Sequence, residues 1–318
     1  MRITAIVCGR KNQYSEHIAR VALKSAKEAG ADVALINIMD LNIRYCINCS
    51  NCSRKLREAS KIKMCSLEKD NTDDMSWLDE QLLSSDGLLF VSPMFVYSPP
   101  GPYKTMCDRI GASHNPVFLR EADRIRKEAG AEPLVDERWY TNRPVAFIGH
   151  GGTDTTYLSF PAIAVPLIFL ELTLVDYIRL DWNADLVVDA VRMQRVERCG
   201  RHLAEMALLP PDERHYIGPK GVCPACHCDV LTIDSETREV TCSLCGVKGK
   251  LITDDGDIKF IVDKEAMLLS HMYDSGHEKH MADLKNRMRI IRAGLDQEEL
   301  TRLMQPLQEE IQPIKPKK

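Results

Sequence analysis

Residues 86–97 read DGLLFVSPMFVY, and residues 102–109 read PYKTMCDR. The first stretch begins as an apolar run and ends at Ser92 and Pro93, as a buried strand does. The second stretch has the spacing of a helix. A strand, a loop and a helix in this order form one unit of an α/β fold, whose ligands bind at the carboxyl ends of the strands.

The same alternation continues on both sides of this unit. It predicts a doubly wound parallel sheet with helices on both faces, in the flavodoxin-like order, over residues 1–208. The predicted strands are 2–7, 32–38, 87–91, 145–149 and 174–180, and the predicted helices are 15–29, 73–84, 102–110, 155–170 and 184–209.

The rest of the chain departs from this minimal α/β pattern. A cysteine-rich insertion covers 46–65. A charged stretch at 113–143 is interpreted as a solvated helical excursion, with a lid or an oligomer contact as alternatives. Residues 209–220 carry three prolines and predict a linker. A small zinc-ribbon-like module is expected at 221–261, followed by a helical tail at 262–318.

Composition argues against two classes of protein. A net charge of −4 and a pI near 6.2 provide no basic surface for nucleic acid. The longest apolar run, 160–170, is interrupted by Pro161 and Pro166 and is too short to span a membrane. The chain opens without a secretory signal and has twelve cysteines, so we expect a reducing, cytoplasmic location.

The first cysteine set has the compact spacing of an iron–sulfur site. Three thiols at two-residue intervals and a fourth nearby predict a [4Fe–4S] cluster, with zinc or no metal as alternatives. The residues between the third and fourth cysteine would loop out. The four cysteines are Cys46, Cys49, Cys52 and Cys65.

The second cysteine set has two separated Cys-x-x-Cys pairs, the spacing of a zinc ribbon. A small module with little core of its own needs such a site to stay folded. A rubredoxin-like iron would use the same four thiolates, so zinc and iron both remain open. The ligands would be Cys223, Cys226, Cys242 and Cys245.

Three loops follow strands of the predicted sheet and together resemble a known family. They are a Gly-Arg-Lys loop at residues 9–11, the Ser-Pro-Met-Phe loop at 92–95 and a His-Gly-Gly loop at 150–152. With the Lys-x-x-x-Asp-Arg helix and the cysteine motif, they resemble the NADPH-dependent FMN reductase superfamily, iron–sulfur flavoprotein branch.

That resemblance implies an FMN site. It implies a phosphate contact with Gly9, Arg10, Lys11 and Ser15, an isoalloxazine contact with Pro93, Met94, Phe95 and Val96, and a second loop formed by Gly149, His150, Gly151 and Gly152. His150 would be a candidate proton donor.

We therefore expect an oxidoreductase that passes electrons between FMN and a [4Fe–4S] cluster, with NAD(P)H or a ferredoxin-like carrier as partner. A homo-oligomer would protect a cluster on a surface insertion. One alternative is an NAD(P)H-dependent FMN or quinone reductase without a cluster. Another is a non-enzymatic redox-sensing or interaction module, although Asp254, Asp255 and Asp257 disfavour nucleic-acid docking.

Overall fold

The computed structural model describes residues 1–52, 65–68, 72–154, 156–254 and 256–314. Its centre is a five-stranded parallel sheet in the order β2-β1-β3-β4-β5, which confirms the predicted flavodoxin-like fold. The strands are β1 (Arg2–Val7), β2 (Asp32–Asn37), β3 (Gly87–Pro93), β4 (Arg143–His150) and β5 (Leu172–Leu180).

Helices cover both faces of this sheet, so its central strands are buried almost throughout. On one face, α1 (Tyr14–Glu28) packs closely against α7 (Ala190–Ala207). A Cβ on Gly200 would lie 1.9 Å from the carbonyl oxygen of Ala22, so this close approach requires glycine. The opposite face carries α2 (Met75–Leu83), α3 (Gly101–Ile110) and α5 (Ser159–Ile163).

One predicted helix is two helices in the structure. Residues 155–170 were expected to be continuous, but α5 is followed by a separate α6 (Pro166–Phe169). Pro166 lacks an amide hydrogen, so it cannot continue the hydrogen-bond ladder of α5, whereas the first position of a new helix needs no such donor. Thr155, the first residue of the predicted helix, lies outside the described residues.

The segment predicted as a linker packs against the α/β unit. Ile217 donates its amide hydrogen to the carbonyl oxygen of Val175 in β5 (3.0 Å). The Arg214 guanidinium donates to the carbonyl oxygens of Met206 and Leu209, both at 3.1 Å. The division of the chain into an α/β unit, a linker, a ribbon and a tail stays a proposal. The hydrogen bonds of Ile217 and Arg214 hold the linker against the α/β unit.

In the described residues beyond the linker, four antiparallel strands form the ribbon and three helices form the tail. The charged stretch contains α4 (Pro116–Glu128), which contacts the tail through the Glu121–Lys285 and Arg120–Asp274 ion pairs (2.6 and 2.8 Å). Among the described residues, no helix has the length and apolar character needed to cross a membrane. The remaining elements are β6 (Leu231–Ile233), β7 (Val240–Cys242), β8 (Lys248–Asp254), β9 (Asp257–Ile261), α8 (Lys264–Leu268), α9 (Asp274–Ala293) and α10 (Gln297–Glu310).

Candidate functional site

The three predicted loops meet at the carboxyl edge of the sheet. Cys8, at the end of β1, donates its amide hydrogen to Val91 of β3 (3.0 Å). Met94, which follows β3, donates to the carbonyl oxygen of His150 at the end of β4 (2.6 Å). The predicted residues of all three loops therefore lie at one edge, as expected for ligand sites of this fold.

The first loop leads into a helix start that is suited to an anion. Helix α1 begins at Tyr14, and the preceding Gln13 makes no side-chain cap, so the first-turn amides have no cap from that residue. Buried Glu16 accepts hydrogen bonds from the Asn12 amide (2.9 Å) and the Asn37 side chain (2.8 Å). Burial alone would raise the pKa of Glu16, but these bonds hold it below its usual value. The loop is thus fixed by an ionised carboxylate.

His150 lies behind this loop as a buried, neutral imidazole. Burial lowers its pKa to about 4. Asn183 donates its side-chain amide to Nδ1 (2.9 Å), which leaves the hydrogen on Nε2 to donate to the Ser15 hydroxyl (2.8 Å). These contacts indicate that His150 orients Ser15 at the helix start. Its role as a proton donor stays a prediction.

The loop after β3 presents apolar side chains to solvent. Phe95 and Val96 are 73% and 79% exposed, and the Phe95 amide closes a tight turn onto Ser98 (2.7 Å). Val96 and Tyr97 have φ of 52° and 69°, which costs roughly 1–3 kcal/mol for each non-glycine residue. The Tyr97 ring contacts that of Tyr157 beyond β4, with centroids 5.6 Å apart. Such strain is typical of functional loops.

The sequence prediction missed four residues at this edge. Trp182, with φ of 52° and 59% exposure, and Asn183 follow β5 directly, and that position was the available signal. Tyr97 and Tyr157 lie in the loops after β3 and β4, four and seven residues beyond the strand ends. A cavity of about 310 Å³ lies between the end of β2 and the start of α3; its lining includes Ile38, Met39, Leu41, Ile43, Pro102 and Thr105.

The first cysteine set converges on one region beside α3. Cys46, Cys52 and Cys65 line a common small cavity with Arg109. The Sγ atom of Cys49 lies 3.2 Å from the hydroxyl of Ser66, whose hydrogen bond lowers the pKa of that thiol. The predicted loop between Cys52 and Cys65 falls on residues 53–64, which lie outside the described part of the chain.

The two cysteine sets differ in how closely the structure gathers their ligand atoms. In the described parts of the chain, only the ribbon brings three or more potential His, Cys, Asp or Glu ligand atoms within 4.8 Å of one another. The [4Fe–4S] cluster and its zinc and metal-free alternatives therefore stay predictions for the first set.

The ribbon cysteines match a single tetrahedral ion. The sulfur atoms of Cys223 and Cys245 are 3.7 Å apart, and those of Cys226 and Cys242 are 3.5 Å apart. Metal–sulfur bonds of about 2.3 Å in a tetrahedron require sulfur–sulfur distances of about 3.8 Å. All four side chains are buried. The donor set therefore fits one zinc or iron ion.

Both halves of this site repeat one backbone pattern. Cys223 donates its amide to the carbonyl oxygen of Cys228, and Cys242 donates to that of Val247, both at 2.9 Å. His227 (φ 62°) and Gly246 (φ 72°) occupy equivalent turn positions. Cys228 is buried beside the ligands, but by this repeat it is equivalent to an apolar valine and is not a fifth ligand.

Comparisons with known proteins agree with this arrangement. The chain is 26% identical over 301 residues to a flavone synthase, cfoJ, of Aspergillus candidus, covering 90% of this chain and 89% of that protein. It is 29% identical over 122 residues to an iron–sulfur flavoprotein of Methanocaldococcus jannaschii, covering 38% of this chain and 57% of that protein. A solved flavone reductase matches with a TM-score of 0.85 and 25% identity over 100% of both chains.

The sequence profile of one family matches residues 1–163, which is more than half of the 318 residues. The matched region contains the three loops and the first cysteine set. The chain therefore belongs to the NADPH-dependent FMN reductase family.

Proposed function

We propose that this FMN-dependent oxidoreductase uses NAD(P)H to reduce a conjugated carbon–carbon double bond in a planar aromatic substrate of the flavone type. The observation that carries the proposal is the full-length match to a flavone reductase, ribbon and tail included. In the reaction, NAD(P)H is oxidised to NAD(P)+ as its hydride is transferred, and a solvent proton completes the reduction. The likeness to a flavone synthase suggests that the reverse direction is also accessible.

The residues of the carboxyl edge fit FMN. Bound FMN would supply hydride-transfer chemistry. The uncapped start of α1 and the Ser15 hydroxyl would hold its phosphate, with Arg10 and Lys11 exposed beside them. The glycine loop packs closely, because a Cβ on Gly151 would lie 2.4 Å from the Thr156 methyl group.

The aromatic rim would hold the substrate. Planar aromatic rings prefer offset stacks or edge contacts, and the exposed Phe95, Tyr97 and Trp182 side chains offer both around the loops. Tyr157 buttresses Tyr97 from the β4 side. A substrate covered by these rings would also be shielded from water.

A second candidate is electron transfer through an iron–sulfur cluster. It is supported by the convergence of Cys46, Cys52 and Cys65 on one cavity beside the cationic Arg109, and by the iron–sulfur flavoprotein relative. A [4Fe–4S] cluster there would exchange electrons with a ferredoxin-like carrier. We also propose a homo-oligomer and a cytoplasmic location; none of the twelve cysteines, all of which lie in the described residues, forms a disulfide, as a reducing compartment favours.

Anaerobic purification followed by two assays separates these candidates. Flavone-dependent NAD(P)H oxidation that yields a product heavier by two hydrogens supports the first. Metal and sulfide analysis that finds about four irons and acid-labile sulfide per chain, in addition to about one metal ion for the ribbon, supports the second candidate. If flavin is bound but flavone is neither reduced nor formed from its dihydro derivative, the first candidate is wrong.

Replacing Ser15 with alanine is expected to weaken FMN binding about 10- to 150-fold, because a hydrogen bond to a charged group contributes about 1.5–3 kcal/mol. The measurement is fluorescence titration of FMN with the apoprotein. Ser25→Ala is the matched control, since Ser25 is also buried in α1 but lies near its other end. Equal affinity in both variants would show that Ser15 does not contact the phosphate.

A further inference from the structure

The last helix of the chain presents an uncovered apolar stripe. In α10 the stripe residues recur at i, i+3, i+4 and i+7, as they do on the buried face of an amphipathic helix. No residue of α10 is buried. The stripe is formed by Leu300, Leu303, Met304 and Leu307, and the last three are 58%, 54% and 61% exposed.

Local interactions alone do not stabilise α10. Isolated helices shorter than about 12–15 residues are marginal in water, and α10 has 14. Pro306 lies inside the helix, at a cost of about 3 kcal/mol. The Asp296 cap on the Glu298 amide offsets only about 1 kcal/mol of that cost. The stripe therefore needs a covering surface.

The preceding helix offers a complementary surface. The carboxyl-terminal half of α9 exposes Ile290 and Ile291, at 67% and 54%. Residues 284–294 contain four Lys or Arg and no acidic residue, whereas α10 contains four Glu and one Arg. One helix is therefore basic and the other acidic, and each has exposed apolar side chains.

We infer that two copies of this chain associate through their tails, with the α10 stripe of each copy packed on α9 of the other. Within one chain the two helices are consecutive, yet both apolar surfaces remain exposed, so the intrachain arrangement does not cover them. In a reciprocal exchange, α10 of each copy covers α9 of the other, so both apolar surfaces are covered in both copies. The two copies then use the same surfaces, as in a twofold interface. The acidic helix also lies against the basic one. This inference does not depend on the proposed reaction.

Sedimentation velocity of the full chain at micromolar concentration tests the interface. The wild-type protein is expected to form at least a dimer of the 36.0 kDa chain. Leu303→Asp should weaken association about 100-fold, because it would bury an unpaired charge in each copy. Gln305→Asp adds the same charge on the opposite side of α10 and should leave association unchanged. FMN content should be unchanged in both variants.

A second variant pair examines the charge pattern. Glu299→Lys should weaken association, and adding Arg287→Glu should restore part of it, because the α10–α9 attraction is then reversed in sign but kept. A monomeric wild type would overturn the inference and indicate an intrachain or foreign cover for α10. Unchanged mass in Leu303→Asp would overturn it as well, since the copies would then associate elsewhere.

Discussion

Replacing Cys242 with serine is expected to release the ribbon's metal ion and unfold the ribbon. A structural zinc ion contributes about 10–16 kcal/mol to the folding of small zinc-binding modules, and a serine hydroxyl is a poor substitute for a thiolate. The ribbon side chains share one apolar core with the sheet, including Phe147 of β4, so the loss should also lower the melting temperature of the whole chain. Metal content per chain and thermal unfolding followed by circular dichroism measure both effects.

Cys228→Ser is the matched control for this experiment. Its side chain is as buried as the ligands, yet its sulfur accepts a hydrogen bond from the Val230 amide (3.4 Å) and occupies the non-ligand position of the repeat. We expect this variant to keep one metal ion and to lose only about 1–3 kcal/mol of stability. Equal metal loss in both variants would mean that the five thiols share the ion.

The fold could be predicted from the sequence because its signals are local. Each strand is an apolar run of the length that a buried parallel strand needs, and β1 has the predicted bounds. The break between α5 and α6 was also local, since Pro166 marks it, but the apolar periodicity of the segment concealed it. Local patterns thus gave the strands, but they missed this break and the packing of the linker on β5.

The site was predictable only in part, because several of its contacts join distant residues. Ser15 and His150 are hydrogen-bonded across 135 positions, and no spacing rule indicates this pair or its partner Asn183. The first cysteine motif predicts thiolate ligands but not the contacts around them. In the structure Arg109 binds Glu68 and the Arg44 carbonyl oxygen, near Cys65 and Cys46, and cysteine spacing does not reveal these contacts.

Replacing Arg109 with methionine is expected to destabilise the chain by about 3 kcal/mol, because it leaves a buried carboxylate without its main cation. The Arg109 side chain is 1% exposed and donates to Asp73 (2.7 Å) and Glu68 (2.9 Å), which follow Cys65. It also donates to the carbonyl oxygen of Arg44, just before Cys46 (3.0 Å). One side chain thus joins the two segments that carry the cysteines, and iron content should fall with stability if a cluster is present.

The pH dependence separates a charge effect from lost packing. Burial alone would raise the pKa of Asp73, but the Arg109 hydrogen bond keeps it below its usual value. The wild-type contribution is therefore complete above the unfolded pKa of about 3.9 and is lost as pH falls through the lower folded value. In Arg109→Met the Asp73 pKa should rise, so the destabilisation seen in urea unfolding at pH 7 should shrink as the pH is lowered through the range in which Asp73 takes up its proton.

Removing the carboxylate as well provides the control for Arg109. The double variant Arg109→Met with Asp73→Asn removes the fully buried carboxylate and leaves Glu68 and Arg44, which are partly exposed and can be solvated, as the charges that lose a partner. We therefore expect it to recover part of the stability lost in the single variant. It should not recover iron binding, because the link between the segments that carry Cys46 and Cys65 is still missing. A double variant as unstable as the single one would assign the loss to packing of the arginine stem. A double variant with full iron content would show that the cysteines converge without Arg109.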